Sequence, residues 1–582
     1  MRIGRREHAG VRPTRAGAFA LVVLAQGFLA ATALAVDCDT LAGSLAFPDT
    51  EFTSSTPVAA GTLKVAGRDV PAHCRLLGRM HARVSPIDGR AYSIGFEMRL
   101  PLDWNRRFYY QANGGIDGSV ATAMGATSGG GPLTSALMQR FAVISSDAGH
   151  NAAQNPVFGI DPQARLDYGY RAVGKLTPMA KAVLGAAYGS GPSRSYIGGC
   201  SNGGRHAMVA AARYPEDYDG YLVGAPGFNL PRAAVANIYG AQQYATIAAP
   251  GPSGAPDLAG AFTPAERSLL SAKVLERCDE LDGLADGMVQ DVRACQRAFD
   301  LARDVPTCAG ARDGTCLSAA QKVAIGNIFA GPRDRAGKPM YSTFPYDAGH
   351  GAAGTAFWEF FAPLALDAGA VAFVFGTPPA DPTSFNGARF ALTSDIETLN
   401  ASIYAHDGTY TESGMSFMTP PHPTHLHRLA QRGARMIVYH GVSDPIFSVD
   451  DTTRWFEALT PRGHPQARQE RRDDRHGRHT DERGPPPVAF ARLFHVPGMN
   501  HCAGGPSTDQ FDLLGALVDW VENGRAPERV VATARSAGNP GGVNPELPAT
   551  WAPNRTRPLC AYPKVATYRG GDPESAESFL CD

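Results

Sequence analysis

The chain has 582 residues, of which 44% are hydrophobic and 19% are charged, and its formal net charge at pH 7 is -1. This composition is typical of a globular protein with a large core, and the length allows two or more domains. Because the net charge is close to zero, no overall field would attract nucleic acid or an acidic membrane surface. We therefore expect neither as a partner, and the sequence does not indicate the oligomeric state.

Residues 1–35 have the pattern of a secretory signal peptide. Several arginines precede the apolar run AGAFALVVLAQGFLAATALA, which ends in Ala33-Leu34-Ala35, an A-x-A cleavage site. We therefore predict export to the periplasm or the medium, with no membrane segment after cleavage. An uncleaved anchor is the alternative, because about 20 apolar residues can just span a bilayer.

Strand and helix patterns alternate in two parts of the chain. The first part contains the predicted strands RAYSIGFEMRLP, RRFYYQANGG, RFAVISSDAG, RSYIGG and DGYLVGAPG, with helical runs such as GGRHAMVAAARYP between them. The alternation returns in ARMIVYHGVSD, VAFARLFHVPG and FDLLGALVDWVENG. It predicts an α/β layer architecture with a mostly parallel sheet.

The region between these two parts is rich in Pro, Gly, Cys and acidic turns and lacks the alternation. We predict a domain at 229–432 that is inserted into one α/β domain, formed by 36–228 and 433–582. Within the second part, 461–487 is densely charged, almost free of apolar residues and ends in prolines, which predicts a solvated, mobile loop. A basic binding arm is the alternative, but acidic and basic residues are interspersed there.

A glycine-rich turn carries a serine where a predicted strand gives way to a predicted helix. Its sequence, Gly199-Cys200-Ser201-Asn202-Gly203, matches G-x-S-x-G. Glycines in this turn allow a strained serine backbone and close packing, so that the hydroxyl stands above the sheet at a helix N-terminus. Five residues alone are a weak match in a glycine-rich chain, and the strand-turn-helix context makes Ser201 the candidate nucleophile.

A serine nucleophile needs a histidine base and an orienting carboxylate. Asp444 follows the predicted strand ARMIVYHG, and His501 lies in the loop after FARLFHV. The order Ser, Asp, His is that of α/β-hydrolases, which predicts this fold. The rivals Asp450 and Asp451 are predicted to lie at a helix N-cap and first turn, and His495 lies within a strand pattern.

The ten cysteines are even in number, and in an exported chain they are expected to form disulfides. Cys200 adjoins Ser201 and Cys502 adjoins His501, so a triad would bring the two sulfurs together and favour a disulfide. A thiol nucleophile at Cys200 is the competing hypothesis, but the turn places Ser201 at its apex. Three other pairs are close enough in sequence for local loops: Cys278 with Cys295, Cys308 with Cys316, and Cys560 with Cys581.

The Cys-Ser doublet in GCSNGGR and the His-Cys doublet in NHC resemble the tannase and feruloyl esterase family, over about residues 38 to 581. The resemblance implies an α/β-hydrolase fold with a large inserted lid domain. It also implies an exported serine esterase with the triad Ser201, Asp444 and His501, acting on small esters of hydroxylated aromatic acids such as gallates and ferulates. The disulfides that it implies beside Cys200 with Cys502 are Cys38 with Cys74, Cys278 with Cys295, Cys308 with Cys316, and Cys560 with Cys581.

In the family, two backbone amides form an oxyanion hole. By resemblance, one is that of Asn202, after the nucleophile, and the other lies in the loop YYQANGGIDG at Gly115, with Gly114 as the alternative. Pre-aimed N–H donors stabilise the charge that develops on the oxygen of the tetrahedral intermediate. Without the resemblance, an ordinary tight turn explains the glycine pair equally well.

The stretch CDELDGLADGMV places Asp279, Asp282 and Asp286 around two Asp-Gly turns. Hard oxygen ligands on a bent loop suit Ca²⁺, although the spacing is not that of an EF-hand and a solvated acidic loop is the alternative. The resemblance implies a structural calcium ion in the lid, bound by these carboxylates and by the backbone carbonyls of Leu284 and Met288. It implies no catalytic role for the ion.

The substrate is the least determined part of the prediction. Met415, Phe417 and Met418 are candidates for an aromatic acyl pocket, with packing of the lid core as the alternative. We can assign no arginine to a terephthalate carboxylate, so terephthalate half-esters stand beside other aromatic or aliphatic esters as alternative substrates. A peptidase and a non-catalytic binding module are alternative functions, and the second would be expected to lack a triad member.

Overall fold

The structure is a computed structural model, and it describes residues 37–459 and 488–582. The predicted signal peptide at 1–35 and the predicted charged loop at 461–487 lie outside the described residues. The strands of the described residues are β1 (Thr50–Val58), β2 (Lys64–Val65), β3 (Arg68–Asp69), β4 (His73–Val84), β5 (Ala91–Pro101), β6 (Arg107–Gln111), β7 (Ala142–Ser146), β8 (Arg194–Cys200), β9 (Gly220–Gly224), β10 (Arg435–Gly441), β11 (Ala491–Val496), β12 (Arg529–Thr533), β13 (Thr556–Cys560), β14 (Ala566–Tyr568) and β15 (Phe579–Cys581).

Nine of these strands form one sheet in the order β1-β4-β5-β7-β6-β8-β9-β10-β11. The six strands from β7 to β11 in this order are parallel to their neighbours, whereas β1, β4 and β5 extend the sheet in antiparallel pairs. The parallel part matches the predicted architecture. The carboxyl ends of β8, β10 and β11 therefore lie at one edge of the sheet, where Cys200 pairs with Gly224 and Gly441 pairs with Val496.

The helices occupy the connections between the strands. They are α1 (Cys38–Ser44), α2 (Pro162–Leu166), α3 (Ala172–Tyr188), α4 (Asn202–Arg213), α5 (Leu230–Ala245), α6 (Leu258–Ala261), α7 (Pro264–Cys278), α8 (Val292–Ala298), α9 (Leu301–Asp304), α10 (Ala319–Ala330), α11 (Gly387–Thr393), α12 (Ile396–Ser402), α13 (Gly414–Met418), α14 (His427–Gln431), α15 (Val449–Ala458) and α16 (Leu513–Asn523). Short 3₁₀ turns are Ala152–Gln154, Val157–Ile160, Asp279–Asp282, Ala348–Gly351 and Ala576–Ser578, and π-helical turns are Asp167–Arg171, Phe357–Phe361, Pro363–Asp367 and Ala370–Phe375.

Both faces of the central strands are buried. In β10, Met436 and Val438 pack into one hydrophobic cluster, and Ile437 and Tyr439 pack into another. Successive side chains of a strand point to opposite faces, so a nearly continuous apolar run is the pattern of a parallel strand covered on both sides. Helices pack on these two faces, and the sheet edge with the strand carboxyl ends stays available for a site.

The region between β9 and β10 contributes no strand to the nine-stranded sheet, and all of its residues are described. It is helical and has a hydrophobic cluster of its own, which includes Tyr244, Phe262, Leu270 and Phe329. The predicted domain boundaries at 228/229 and 432/433 stay predictions, because other residues of this region share the cluster of the sheet.

Among the described residues, one helical segment is long and apolar enough by composition to cross a membrane. It is Phe357–Phe375, with a hydropathy of 1.5, and 61% of it is buried inside the molecule. Its last part, including Phe373 and Phe375, packs in the main core. Core helices can match membrane helices in length and composition, and the burial of this segment is that of a core helix.

Candidate active site

Ser201 lies at a sharp turn between the end of β8 and the first residue of α4. Its backbone has φ 65° and ψ -128°, a conformation that is uncommon for any residue other than glycine. Its N–H donates to the carbonyl of Gly224 at 3.0 Å, which ties the turn to β9. A Cβ atom on Gly199 would lie 2.3 Å from the carbonyl oxygen of Ala112, so the turn packs too closely for a larger residue there.

Asp444 and His501 meet beyond the ends of β10 and β11. The imidazole Nδ1 of His501 lies 2.8 Å from Oδ2 of Asp444. The other oxygen, Oδ1, accepts the backbone N–H groups of Ile446 and Phe447, each at 3.0 Å. Asp444 is thus fully hydrogen-bonded and holds the ring of His501 in one orientation.

A second histidine, His440, also lies against Asp444; its position inside a strand pattern contains no signal for such a contact. Its Nε2 is 3.2 Å from Oδ2 of Asp444, and its Nδ1 is 2.9 Å from the hydroxyl of Thr452. Burial alone would raise the pKa of Asp444, but the charge of His501 and the hydrogen bonds from both histidines outweigh it and lower the pKa. Asp444 therefore stays a carboxylate.

The free nitrogen of His501 has no partner among the described residues. Its Nε2 is buried without a hydrogen bond, and no hydrogen bond joins it to Ser201. The ring is packed between two aromatic side chains, with centroids 5.0 Å from Trp358 and 5.2 Å from Phe447, both edge to face. With Nδ1 engaged by Asp444, Nε2 is the position at which a proton can be accepted.

A disulfide joins the serine turn to the histidine loop. Cys200 and Cys502 are bonded with their Cα atoms 6.0 Å apart, across 302 residues of sequence. The structure also has the four other disulfides that the resemblance implies: Cys38 with Cys74, Cys278 with Cys295, Cys308 with Cys316, and Cys560 with Cys581. The cysteines are therefore all paired, and the hypothesis of a thiol nucleophile at Cys200 has no free sulfur.

The rival acids and histidine lie elsewhere. Asp450 and Asp451 are in the first turn of α15, where Asp450 accepts from Thr343 and Asp451 accepts from Asn229. His495 lies in β11, and its Nε2 is 2.9 Å from the hydroxyl of Thr453. None of the three has a hydrogen bond to His501 in the part of the chain that the structure describes.

The predicted oxyanion loop lies beside the serine. A Cβ atom on Gly114 would be 3.8 Å from Cβ of Ser201, so the loop approaches the nucleophile closely. Gly115 has φ 64° and its carbonyl accepts from the hydroxyl of Tyr168 at 3.3 Å. The backbone N–H of Asn202 is at the N-terminus of α4, where it has no partner within the helix.

The acidic loop has its own hydrogen-bond network. Asp279 accepts the backbone N–H groups of Asp286, Gly287 and Met288 at 2.8–3.1 Å. Asp286 is also paired with the guanidinium of Arg557. Burial, followed by repulsion from Asp286, raises the pKa of Asp282 to about 7.

The donor chemistry of this loop fits a hard cation, because buried carboxylates that repel one another are stabilised by one. No group of three or more His, Cys, Asp or Glu side chains converges as a ready metal site within residues 37–459 and 488–582. The ligand set Asp279, Asp282, Leu284, Asp286 and Met288 therefore stays a prediction.

A cavity lies beside the triad, with Trp358 in its wall. We call it the Trp358 cavity; about 40 Å³ of its interior is open to a water-sized molecule, and its apolar walls include Tyr244, Phe329 and Phe344. Its polar lining consists of three residues, Asn237, His350 and Glu359. Neither this cavity nor a larger cleft at the acidic loop has a triad residue in its lining; the Trp358 cavity approaches the triad through Trp358, which contacts the ring of His501, and through Pro445, which follows Asp444.

The polar atoms of the Trp358 cavity are short of partners. Nδ1 of His350 and Nδ2 of Asn237 are buried without hydrogen bonds in the described parts of the chain. Burial raises the pKa of Glu359 to about 7, against the effect of Arg267 and of Tyr244. The cavity is thus apolar with a few uncompensated polar groups, which is the usual character of a small-molecule site.

The residues Met415, Phe417 and Met418, predicted as an acyl pocket, are placed differently. Phe417 and Met418 are fully buried in the main hydrophobic cluster, and Met415 packs against that cluster. They do not line the Trp358 cavity. They pack in the cluster that the sheet also shares, not in a core confined to the predicted lid. A short apolar run contains no signal that separates a core from a pocket.

The chain is similar to known proteins in sequence and in structure. The family described as "Tannase and feruloyl esterase" matches residues 74–582. The chain is 38% identical to mono(2-hydroxyethyl) terephthalate hydrolase of Piscinibacter sakaiensis over 546 residues, which cover 88% of this chain and 85% of that protein. It is 24% identical to a probable feruloyl esterase B-2 of Aspergillus terreus, over 92% of each chain.

The fold is similar to those of two fungal enzymes. Feruloyl esterase B from Aspergillus oryzae superimposes with a TM-score of 0.71 and 23% identity, over 94% of this chain and 99% of that one. Tannin acyl hydrolase from Aspergillus niger gives a TM-score of 0.63 and 20% identity, over 94% of each chain. At these identities the similarity shows the fold, which is α/β-hydrolase-like.

Removing the disulfide at the site tests whether it holds Ser201 and His501 together. We expect Cys200→Ala with Cys502→Ala to react more slowly with a fluorophosphonate probe, because the two loops are then free to separate. Closing this long loop constrains the unfolded chain by roughly 5 kcal/mol in the entropy model, so the melting temperature should fall too.

The matched control is Cys560→Ala with Cys581→Ala, which removes the bond between β13 and β15. It should lower the melting temperature and leave the labelling rate near that of the unchanged protein. Equal labelling rates for both double variants would show that the Cys200 disulfide has no role in the site.

Proposed function

The chain belongs to the tannase and feruloyl esterase family, and from this premise we propose that it is an exported serine esterase that cleaves esters of hydroxylated aromatic acids. That it is a carboxylic ester hydrolase follows from its relatives, which are named as hydrolases and esterases along most of its length. The single observation that carries the serine mechanism is the pairing of His501 with Asp444 beside a disulfide that leads to Ser201.

In the proposed mechanism Ser201 attacks the ester carbonyl carbon, and Nε2 of His501 takes the hydroxyl proton. The Nδ1–H of His501 donates to Asp444, which supports this assignment because it leaves the lone pair of Nε2 free. The protonated His501 then gives the proton to the leaving alkoxide, and an acyl-enzyme forms on Ser201. Water, activated by the same nitrogen, releases the acid and regenerates the serine.

Two backbone N–H groups, of Asn202 and Gly115, form the proposed oxyanion hole. The carbonyl oxygen gains negative charge when Ser201 adds, and donors fixed in advance stabilise it more than they stabilise the substrate. The position of Asn202 at the start of α4 supports its role, since the N-terminus of a helix favours negative charge. The closeness of Gly114 to Ser201 supports the loop as the second source.

The proposed acyl site is the Trp358 cavity. The contact between Trp358 and the ring of His501 places an aromatic wall next to the reacting atoms, where an aromatic acid can stack. Among the described residues, its lining has no lysine or arginine, and its unpartnered polar atoms suit hydroxyl groups. This favours neutral hydroxylated rings over the terephthalate half-ester that the Piscinibacter relative is named for.

The remaining parts of the proposal concern the lid, export and partners. We assign the region 229–432 as the lid, because Trp358 and the other walls of the Trp358 cavity come mostly from it. Export is supported by the disulfides, which form in oxidising compartments. A non-catalytic module is disfavoured because Ser201, Asp444 and His501 are all present.

Calcium is proposed as a structural ion of the acidic loop. The carboxylates of Asp279, Asp282 and Asp286 and the backbone carbonyls of Leu284 and Met288 would hold the ion. Its positive charge would offset the repulsion among the carboxylates. The raised pKa of Asp282 supports this, since a proton and a cation relieve the same repulsion. We assign the ion no part in the chemistry.

Ser201→Ala should abolish hydrolysis of methyl ferulate and leave the fold intact. We expect kcat to fall by roughly 10⁴-fold or more, because the hydroxyl that is proposed to carry the acyl group is removed. Steady-state rates measured together with a circular dichroism melt test this. Turnover near that of the unchanged protein would rule out the serine mechanism.

A panel of esters tests the substrate class. We expect kcat/KM to be higher for methyl ferulate and methyl gallate than for mono(2-hydroxyethyl) terephthalate, and no cleavage of the matching anilides. Trp358→Ala should lower kcat/KM for the aromatic esters more than for 4-nitrophenyl acetate, which needs no aromatic wall. A preference for the terephthalate half-ester would contradict the assignment of the cavity, and anilide cleavage would favour a peptidase.

Calcium binding should depend on pH in a defined direction. The folded pKa of Asp282 is raised above its unfolded value, so in EDTA this group lowers stability as the pH rises from about 4 to about 7. Added Ca²⁺ should therefore raise the melting temperature more at about pH 8 than at about pH 5. Asp282→Asn should abolish this response, and an unchanged response would show that calcium binds elsewhere.

A further inference from the structure

A buried carboxylate joins the two elements that carry the proposed oxyanion donors. Asp117 lies two residues after Gly115, in the loop that follows β6, and Asn202 is the first residue of α4. The side-chain Nδ2 of Asn202 donates to Oδ2 of Asp117 at 2.9 Å, across 85 residues of sequence. This side-chain contact lies outside the triad.

The helix side of the contact is fixed by two further residues of α4. Nε2 of His206 is 2.9 Å from the same Oδ2 of Asp117, and the two side chains are only 4% and 2% exposed. Nε of Arg205 donates to Oδ1 of Asn202 at 2.6 Å. The amide of Asn202 therefore has both its ends engaged, and its NH₂ group, which donates to Asp117, also lies 3.3 Å from Nε2 of His206.

The loop side is fixed as well. Asp117 has φ 53°, and its N–H donates to the carbonyl of Gly114 at 3.3 Å, which closes the turn around Gly115. The hydroxyl of Tyr168 donates to the carbonyl of Gly115, and Arg205 donates to the carbonyl of Tyr168 at 3.1 Å. Arg205 thus supports the loop through Tyr168 and the helix through Asn202.

The cluster is deeply buried. Burial raises the pKa of Asp117 well above its ordinary value, although the nearby charge of Arg205 opposes the rise. Burial, together with the charge of Arg205, lowers the pKa of His206, so its ring is neutral and donates from Nε2. The link between the loop and the helix therefore rests on the contacts of Asn202 and His206 with Oδ2 of Asp117.

We propose that Asp117 is a positioning residue, which holds the backbone N–H groups of Gly115 and Asn202 at the separation that the oxyanion requires. Asp117 itself forms no bond to the substrate and transfers no proton. The inference rests on the proposed function, since it concerns the same reaction. Its physical basis is that the two donors belong to segments with no covalent link nearby, so a small shift of either one weakens stabilisation of the transition state.

Two variants test this role. Asp117→Asn replaces a carboxyl oxygen by an NH₂ group, and Asn202→Ala removes the side-chain contact but keeps the backbone N–H that would donate. We expect kcat on methyl ferulate to fall by about 10- to 100-fold in both, with KM within about threefold, because a misplaced donor is felt mainly in the transition state. The inhibition constant of an aryl boronic acid, which mimics the tetrahedral state, should rise by a similar factor.

The matched control is Asp161→Asn. Asp161 is also a buried carboxylate, which caps α2 and accepts from Arg83 at 2.9 Å, outside the proposed site. It should lower the melting temperature and leave kcat and the boronic acid inhibition constant unchanged. If Asp117→Asn fails to fold, Asn202→Ala decides the question alone.

The outcomes separate the inference from the function. The positioning role would be overturned if folded Asn202→Ala kept the kcat and the inhibition constant of the unchanged protein. It would also be overturned if kcat fell as much in Asp161→Asn as in Asp117→Asn and Asn202→Ala. Both results leave the serine mechanism in place if Ser201→Ala is inactive in the same assay. An active Ser201→Ala variant would instead overturn the proposed function.

Discussion

The backbone of Ser201 is held in a left-handed conformation between a strand and a helix, and the arrangement of the site depends on this constraint. Such a conformation costs about 1–3 kcal/mol for a residue other than glycine, so the surroundings must hold it. The hydrogen bond to Gly224 fixes the turn to the neighbouring strand, and α4 begins at the next residue. The result is a hydroxyl that stands beside free N–H groups at the carboxyl edge of the sheet.

The histidine must reach this turn from a distant part of the chain, and two kinds of link bring it there. The parallel register of β8, β9, β10 and β11 brings the loops after these strands to the same edge. The disulfide between Cys200 and Cys502 then fixes the serine turn to the histidine loop covalently. Asp444 orients the ring of His501 from the other side, and aromatic contacts with Trp358 and Phe447 limit its motion.

Much of the fold could be predicted because the parallel strands are apolar runs separated by helical patterns. The antiparallel pair of β1 and β4 was not predicted, since its half-exposed strands lack such a run. At the site, motif and strand order led to Ser201, Asp444 and His501, which lie on loops of one sheet edge. Chain order contains no signal for Trp358, because an aromatic residue in a helical region looks the same whether it is in a core or beside a catalytic ring.

The central claim is that Ser201 carries the acyl group of an aromatic ester during turnover. It is tested most directly by acid quenching of the protein during hydrolysis of 4-nitrophenyl ferulate, followed by peptide mass spectrometry. The account predicts a feruloyl ester on the peptide that contains Ser201, and no acylated peptide in Ser201→Ala. An acyl group on another residue, or turnover with no acylated peptide at all, would contradict it.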